Sequence, residues 1–401
     1  MSSEKEVAVM RRTVAATLLT CLVVLAAYYG IFVMNRPASE ENIKVGFLFE
    51  NDESTPYTYN FMLARDALQR RYPDRVEVYT RSNILPEETE EPLRDLIHKG
   101  CRIIFCNNYS EQLVSLAGEY PDVTFCQVSF PHSEGTVFPS NYHMFNGAVY
   151  QARYISGVIA GMKLQQLIDN RYIRPENALV GYIGGFETPE VISGYTAFFL
   201  GIRSVVPEAT MKVRYIHAWN NFALEKQTAR ELIDEGCMVL SHHTDTIGPA
   251  IACEEADRPV FFVGYNRSMM DVAPDSTLIS LRVNYTPYVI GSVEAVMENR
   301  RIEKNVSATA FGNDCVAGFE SDWVQLLEPN TALLAPGSRE KIDELIAAFR
   351  KGSLPVFQGP YTGTDPQNPS NTIDLSTVYK ENSTSSSPSF HYILDEGIFV
   401  E

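Results

Sequence analysis

One segment constrains the fold of this chain most strongly: residues 178–221, with the sequence ALVGYIGGFETPEVISGYTAFFLGIRSVVPEATMKVRYIHAWNN. The apolar run at 179–183 predicts a strand, which a tight turn at Gly184-Gly185 would end. A helix opening near Pro189 and a second strand ending at Trp219 complete the unit. A strand–helix–strand unit needs a parallel sheet, because only a crossover connection can join strands that run in the same direction.

The same alternation of strand and helix runs through most of the chain. A first series begins with the strand IKVGFLFE and the helix YNFMLARDALQRRY, and a second begins with the helix NGAVYQARYISGVIAGMKLQQLI. This alternation predicts an α/β fold of two doubly wound lobes with parallel sheets and an interlobe cleft. We expect lobe 1 to comprise residues 43–146 and 284–304. Lobe 2 is then 147–283 and 305–401, the latter range including a C-terminal tail with a flexible polar loop, NSTSSSPS.

Composition excludes one class of function. The chain has 401 residues, 45% of them hydrophobic, with 50 acidic and 33 basic residues and a formal charge of −17. It carries no long run of Lys and Arg, so the phosphate-neutralising surface that nucleic-acid binding needs is missing. We therefore expect no nucleic-acid partner.

The N-terminus predicts a membrane anchor. Residues 13–34, TVAATLLTCLVVLAAYYGIFVM, carry no charge, and at about 1.5 Å per residue they would cover a hydrocarbon core of roughly 30 Å. Lys5, Arg11 and Arg12 precede this run and only Arg36 closely follows it. The positive-inside rule then predicts a cytoplasmic stub at 1–12, a linker at 35–42 and an extracytoplasmic globular part on the cell membrane.

Two other interpretations of this segment stay open. The sequence Leu18-Leu19-Thr20-Cys21 resembles a lipoprotein cleavage box, although the apolar run continues beyond Cys21. The other interpretation is a cleaved secretory signal. Such signals have a shorter apolar region than this segment and a small-residue cleavage site, which does not follow it here.

Motifs for metals, cofactors and catalysis are absent from the sequence. It contains no CxxC or Cys/His metal spacing, and no GxSxG or HExxH motif. The adjacent His242 and His243 would point to opposite faces of a strand, which disfavours a shared zinc ion. We expect no enzyme, metal or cofactor. The exported cysteines are expected to be small buried hydrophobes, although one or two disulfides remain possible: Cys101, Cys106, Cys126, Cys237, Cys253 and Cys315.

The order of several segments resembles the basic membrane protein family. They include VGFLFE, LAGEYPDVTF, YQARYISGVIAGM, LVGYIGGFETPEVISGYTAFFLGIRSV, ELIDEGCMVLSHHTD, VGYN and KGSLPVFQGP. The family's members are type I periplasmic-binding-protein-like lipoproteins whose characterised representatives bind purine nucleosides or related purines for ABC importers. The resemblance implies the same fold, a purine-like ligand in the cleft and an ABC permease as partner. A membrane-anchored sensor that reads the same ligand without transport is the alternative.

Site residues carry over only where positions match the family's. The loop ENDESTPYTYN lacks the family's glycines, but the resemblance implies that Tyr57 or Tyr59 stacks on the base and Asn60 hydrogen-bonds. Trp219 matches the second-lobe aromatic, and Asp245 lies in the matching His-x-Asp loop.

The polar contacts to a ribose differ from the family pattern. Asn266 stands where nucleoside binders place an aspartate, and Val283 stands where the family has a lysine. The resemblance therefore implies a free purine base or another neutral heterocycle as readily as a nucleoside. Asn108, after the strand CRIIFC, and Phe186, after the double glycine, complete the candidate ligand-binding residues.

Each candidate also has a purely structural interpretation. Trp219 and Phe186 could pack against the sheet edge, and the two tyrosines could be ordinary residues of a helix start. Asn108 and Asn266 could satisfy loop backbone groups in Asx-turns, and Asp245 could cap the helix that follows it.

Overall fold

The computed structural model describes residues 42–132 and 135–401. Its strands are β1 Ile43–Leu48, β2 Val76–Arg81, β3 Ile103–Cys106, β4 Thr124–Val128, β5 Tyr142–Gly147, β6 Leu179–Gly184, β7 Thr210–Tyr215, β8 Val239–His243, β9 Phe261–Tyr265, β10 Thr277–Val283, β11 Thr309–Phe311, β12 Asp314–Ala317, β13 Val324–Leu326, β14 Thr362–Asp365, β15 Asn368–Asp374, β16 Ile393–Leu394 and β17 Ile398–Val400. Its α-helices are α1 Pro56–Arg71, α2 Glu90–His98, α3 Glu111–Glu119, α4 Tyr150–Asp169, α5 Pro189–Arg203, α6 Phe222–Asp234, α7 Gly248–Glu254, α8 Thr286–Met297, α9 Ile302–Asn305 and α10 Ser338–Arg350. Short 3₁₀ turns occur at Pro86–Glu88, Pro175–Asn177 and Phe319–Ser321.

Two large sheets form the centres of two lobes. The first has the strand order β11-β12-β5-β4-β3-β1-β2, and the second has the order β13-β10-β9-β8-β6-β7-β17. The pairs β1–β3, β3–β4, β4–β5, β6–β7, β6–β8, β8–β9 and β9–β10 are all parallel. The central strands β3, β8 and β9 are buried on both faces, as parallel sheets covered by helices require. These sheets confirm the predicted α/β fold with parallel-sheet lobes.

The chain passes between the lobes where strands of one sheet lead into elements of the other. Strand β5 of the first sheet leads into α4, which lies close to β10 and β13 of the second. Strand β10 then leads into α8, which packs on α1 of the first lobe. There Phe61 stacks on Tyr285 with ring centroids 3.7 Å apart, and Phe145 stacks on Tyr288 at 3.9 Å. Residues 284–304 were expected to belong to lobe 1. Helix α8, which occupies much of this range, packs on α1 of the first lobe.

The structure differs from the expected division at two places. Residues 142–147 form strand β5, whereas the sequence pattern predicted a helix from Asn146; the strand is entirely buried, so its apolar run does not alternate and resembles a helix start. Residues 309–317 were assigned to lobe 2, but β12 pairs in parallel with β5 of the first sheet and carries β11 with it. Such short strands give too little sequence signal to assign to either sheet.

The C-terminal tail forms structure of its own. Strands β14, β15 and β16 make a three-stranded sheet, and β17 returns to pair in parallel with β7 at the edge of the second large sheet. The last segment, FHYILDEGIFV, thus contains two short strands, β16 and β17, separated by a turn.

The predicted stub, spanning helix and most of the linker at 1–42 lie outside the described residues. Within the described ranges, no helix combines the length and the apolar character needed to cross a bilayer. The six cysteines of these ranges are buried and free.

Candidate functional site

A cavity of about 360 Å³ lies between the lobes, where strands of both sheets end. This volume is within the roughly 300–1,000 Å³ typical of small-molecule sites. Its walls come from the loops that follow β1, β3 and β4 of the first lobe and β6, β7, β8 and β9 of the second. Both parallel sheets therefore present their carboxyl ends to one space, which is where α/β sheets bind ligands.

Aromatic side chains from both lobes border this space. Trp219 stands on the second-lobe side with 39% of its surface exposed, and Tyr109 stands on the first-lobe side with 44% exposed. Tyr109 is supported by Phe130, whose ring centroid is 4.1 Å away. Half-exposed rings in a cavity leave apolar faces for a planar partner.

The position of the Trp219 ring depends on the double glycine Gly184-Gly185 at the end of β6. A Cβ atom on Gly185 would lie 2.5 Å from Cε3 of the indole, so only glycine allows this close approach. Phe186 also lies beside the indole, with ring centroids 5.0 Å apart and an angle of 60° between the planes. The Gly184-Gly185 turn therefore shapes the seat of Trp219.

Tyr57 lies at the first turn of α1, between the cavity and the first-lobe core. Its hydroxyl donates to the backbone carbonyl of Asn107 at 2.7 Å. Its ring makes edge contacts with Phe61 and Tyr285 at centroid distances of 5.4 and 6.4 Å. Tyr57 is therefore held rigidly by its own lobe while it borders the cavity.

Asp245 connects the two lobes. Its carboxylate accepts the backbone N–H of Tyr57 at 2.8 Å, and the side chains of Thr55 and Asn266 also hydrogen-bond to it. Thr55, the N-cap residue of α1, makes no capping bond with its own side chain. Asp245 thus caps a helix of the opposite lobe, where an acidic group is favoured by the helix dipole. Burial raises the pKa of Asp245 to about 7, against these hydrogen bonds.

The capping interpretation of Asp245 in the sequence needs one correction. The helix that follows Asp245 is α7, and its Gly248 N–H is accepted by Thr246 Oγ1 at 3.1 Å. Asp245 is therefore a helix cap in the structure, but of α1 rather than of α7.

Asn60 and Asn266 form a second connection between the lobes. Asn60 Nδ2 donates to Asn266 Oδ1 at 3.2 Å, and both residues are buried. Asn266 has a left-handed backbone with φ of 65°, a conformation that asparagine tolerates well. Asn266 borders the cavity, whereas Asn60 lies behind it and holds Asn266 in place.

Two asparagines follow β3 on the first-lobe side. Asn107 Oδ1 accepts the backbone N–H of Glu50 at 2.9 Å, and its Nδ2 donates to Thr58 Oγ1 at 3.3 Å. Asn108 Nδ2 donates to the backbone carbonyl of Ile84 at 3.2 Å, and its Oδ1 accepts from the thiol of Cys106. These bonds fix the loop while both residues border the cavity.

Acidic groups dominate the charge of the cavity wall. Glu50, Glu190 and Asp245 line it, and none of the lining residues that the structure describes is Lys or Arg. Burial, and then the nearby charge of Glu87, raise the pKa of Glu50. His243 also lines the cavity. Burial lowers its pKa to about 4, so the imidazole is neutral near pH 7. The wall favours a neutral or hydrogen-bond-donating ligand and opposes a phosphate.

A buried cation lies one layer behind this wall. The guanidinium of Arg153 is over the ring of Tyr265, 4.1 Å from its centroid, and its Nη1 donates to Ser241 Oγ at 3.3 Å. His243 meets the same tyrosine edge-on at 4.7 Å. Tyr265 therefore presents a sterically fixed ring to the cavity.

A comparison with family models identifies the family to which the chain belongs. The model of the family described as Bmp, ABC transporter substrate-binding protein PnrA-like, matches residues 44–346. The chain belongs to this family. Its members are extracytoplasmic solute-binding proteins of ABC transporters rather than enzymes, so the predicted family membership is confirmed.

Two curated relatives of this Bmp-family protein are informative. The chain is 28% identical to a purine-binding protein of Brucella abortus (strain 2308) over 347 residues, which cover 85% of this chain and 91% of the relative. It is 30% identical to a putative ABC transporter glucose-binding protein of Haloferax volcanii over 237 residues, 59% of this chain and 56% of that one. The two relatives are named for different ligands.

A solved structure supports the fold. An ABC transporter solute-binding protein of Conexibacter woesei aligns with a TM-score of 0.58 at 18% identity, covering 78% of this chain and 97% of that one. This likeness bears on architecture alone.

Five of the eight predicted site residues of this Bmp-family chain border the cavity, and three do not. The five are Tyr57, Asn108, Trp219, Asp245 and Asn266. Tyr59 points away from the cavity and is 43% exposed, while Asn60 and Phe186 support bordering residues from behind. For all eight, contact with a ligand remains a prediction.

Several bordering residues were missed by sequence reasoning. Glu50, Tyr109, Phe130 and Tyr265 lie at or just beyond a strand's carboxyl end, which was a usable signal once the strands were placed. Glu190 lies in the first turn of α5. Ser387 and Pro388 also border the cavity and come from the tail, for which the sequence offered no such signal.

Proposed function

We propose that this protein captures a purine nucleobase or nucleoside in the interlobe cavity and delivers it to an ABC importer. The observation that carries the proposal is a cavity with half-exposed rings on both lobes and an acidic wall that contains no Lys or Arg. A purine has two apolar faces and a rim of N–H donors and ring-nitrogen acceptors. Trp219 would take one face, and Tyr109 or Tyr57 the other.

The acidic wall narrows the ligand class. Asp245 and Glu190 can accept from exocyclic amino or ring N–H groups, and Asn266 can both donate and accept. A nucleotide phosphate would face three carboxyl groups with no neutralising cation among the lining residues. The proposed ligands are therefore bases and nucleosides rather than nucleotides, which agrees with the purine-binding name of the Brucella relative.

Delivery and location follow from family membership together with the N-terminal sequence. We propose that the segment at 13–34 holds the globular part to the outer face of the cell membrane, close to the permease that receives the ligand. Closure of the lobes around a ligand would be a hinge motion, driven by tighter binding to the closed state.

A sugar is the second candidate ligand, favoured by the glucose-binding name of the Haloferax relative. Sugars also stack on aromatic rings and donate hydroxyl groups to carboxylates and amides. They differ from purines in lacking a wide planar face, so they would use Trp219 alone and leave the opposite rings without a stacking partner.

The test is a thermal-shift screen of the purified full chain, followed by calorimetric titration of any hit. The probes are adenine, hypoxanthine, adenosine, inosine, AMP and D-glucose. We expect at least one base or nucleoside to raise the melting temperature by about 5 °C when added well above its Kd, and AMP to give no shift. A shift with D-glucose and none with the four purines would refute the proposed ligand class.

A matched pair of variants tests the stacking role. Trp219→Ala should weaken binding of the purine by at least about tenfold, since base–aromatic stacking contributes roughly 1–3 kcal/mol. Tyr59→Ala removes an aromatic ring of similar exposure that does not border the cavity, so its Kd should stay within about twofold of the wild type. Equal losses in the two variants would remove Trp219 from the site.

A further inference from the structure

The C-terminal tail contributes a loop, Glu381–Ser389, that reaches the ligand cavity from outside the region matched by the family model. That match ends at residue 346. We call this loop the strap. Its polar sequence, ENSTSSSPS, is typical of a flexible linker, yet in the structure most of its backbone is held by hydrogen bonds.

The strap is closed on itself at its base. Glu381 accepts the backbone N–H groups of Ser389 and Phe390 at 2.8 and 3.0 Å. Asn382 Nδ2 donates to the backbone carbonyl of Ser386 at 2.9 Å, with longer bonds of 3.3 Å to those of Ser385 and Ser387. One buried carboxylate and one amide therefore fix the shape of the loop.

The base of the strap belongs to the second lobe. Ser193 of α5 hydrogen-bonds to Glu381, and the ring of Phe390 stacks on Phe357 with centroids 4.5 Å apart. Beyond the strap, β17 pairs with β7 of the second sheet. The strap is thus rooted in the second lobe on both sides.

The tip of the strap hydrogen-bonds to Asp314 of the first lobe. Its Oδ2 accepts from Ser385 Oγ at 3.0 Å and from the backbone N–H of Ser386 at 2.7 Å. Asp314 is buried and opens β12, which pairs with β5 of the first sheet. Hydrogen bonds to a buried carboxylate are among the stronger ones in proteins, so this contact is not a casual surface touch.

Immediately after this contact the strap borders the cavity. Ser387 is buried and Pro388 is half-buried, and both are part of the cavity wall. A separation of the lobes must break the bonds to Asp314 or pull the strap away from the second lobe.

We propose that the strap ties the second lobe to Asp314 of the first, and that this tie closes one side of the cleft and holds Ser387 and Pro388 against the ligand. Asp314 is then a positioning residue, and Ser387 and Pro388 are ligand contacts. The tie itself is independent of ligand identity, whereas its effect on purine affinity rests on the proposed function.

The tie is tested first without ligand. Spin labels at Asp122→Cys in the first lobe and Asp257→Cys in the second report the interlobe distance by pulsed electron resonance, because both positions are exposed and the six described native cysteines are buried. The unsubstituted chain, labelled in parallel, gives the background. We expect one narrow distance distribution for the otherwise wild-type protein, and a broader one with a longer component when Asp314→Ala is added.

The control variant is Asp395→Ala. Asp395 accepts from Thr362 Oγ1 and Thr364 Oγ1 at 2.6 and 2.8 Å, so it makes a similar pair of bonds within the tail sheet without touching the first lobe. Its distance distribution should match that of the wild type. If Asp314→Ala unfolds the protein, Asp314→Asn takes its place in the test. Asparagine keeps the side-chain shape and one acceptor oxygen, so we expect a distance distribution between that of the wild type and the broad distribution expected when the tie is lost.

The second measurement is affinity for adenine and adenosine. Asp314→Ala should weaken binding by about tenfold, because the closed form would be a smaller fraction of the protein before binding and the apparent Kd rises as that fraction falls. Ser387→Ala should leave the distance distribution unchanged while it alters affinity.

The outcomes separate the two hypotheses. Unchanged distance distributions in both Asp314 variants would overturn the tie, whatever the ligand. A broadened distribution with unchanged affinity would overturn the role of the strap in binding. If neither adenine nor adenosine binds the wild-type protein, the proposed ligand class fails, and the distance measurement alone decides whether the tie exists.

Discussion

The buried carboxyl group of Asp245 gives the most quantitative prediction for this protein. Its pKa is 3.8 in a model peptide and about 7 in the folded chain, because burial disfavours the charged form. Between these values the folded state binds the proton more tightly than the unfolded state. The contribution of Asp245 to stability is therefore greatest at low pH and is lost as the pH rises through about 7.

The magnitude follows from the size of the shift. One unit of pKa difference corresponds to about 1.4 kcal/mol, so the full effect across the window from 3.8 to about 7 is roughly 4 kcal/mol. Between about pH 6 and about pH 8 the expected change from this group is roughly 1.4 kcal/mol. The wild-type profile alone would not isolate this change. Burial lowers the pKa values of His242 and His243, which gives the opposite slope below their ordinary pKa of 6.5, and burial raises the pKa of Glu381 to about 7, which gives a slope of the same sign.

Comparison with Asp245→Asn isolates the contribution of Asp245 to the pH dependence of the free energy of unfolding. Asparagine keeps an acceptor for the N–H of Tyr57 but has no proton to lose, and the histidine contributions cancel in the difference. We expect the variant to gain about 1.4 kcal/mol relative to the wild type between about pH 6 and about pH 8, as measured by urea unfolding at each pH. A difference for Asp245→Asn that is constant with pH, or that falls as pH rises, would refute the reasoning.

Two further variants test local geometry. Gly185→Ala places a methyl group 2.5 Å from the Trp219 indole, so it should displace that ring and weaken purine binding nearly as much as Trp219→Ala. Tryptophan emission should shift as well. The shift would come from Trp219, because Trp323 is buried elsewhere. Wild-type emission and affinity would contradict this. Tyr57→Phe should lower the free energy of unfolding by about 1 kcal/mol, since the bond to the carbonyl of Asn107 is lost, while ligand affinity changes by less than about threefold because the ring remains. An affinity loss without a stability loss would instead place the hydroxyl group on the ligand.

The contribution of sequence reasoning is clearest in the second lobe. The unit at 178–221 was predicted as strand, turn, helix and strand, and it forms β6, α5 and β7 in that order. The predicted end of the second strand at Trp219 was wrong, because β7 ends at Tyr215 and Trp219 lies in the loop beyond it. Such a prediction works because apolar periodicity and a double glycine are local signals. Asp245 and Asn266 were chosen through the family resemblance, and both lie just beyond β8 and β9 and border the cavity.

Predictions failed where the deciding contact was distant in sequence. Tyr57 and Tyr59 were equivalent candidates, and only the direction of the first turn of α1 turned one toward the cavity and the other toward solvent. Asp245 was considered as a cap for the helix beside it, but it caps α1 at a separation of 188 residues along the chain. No local pattern encodes such pairings.

The sequence by itself determined the two-lobed α/β fold, the family and the strand ends at which a ligand site should form, because these depend on periodicity and on residues close together in the chain. The tertiary structure alone decided which side chains share the cavity, since that depends on how the two sheets face each other. It also turned a serine-rich segment of flexible composition into the strap, because the buried carboxylates of Glu381 and Asp314 hold its backbone from two sides.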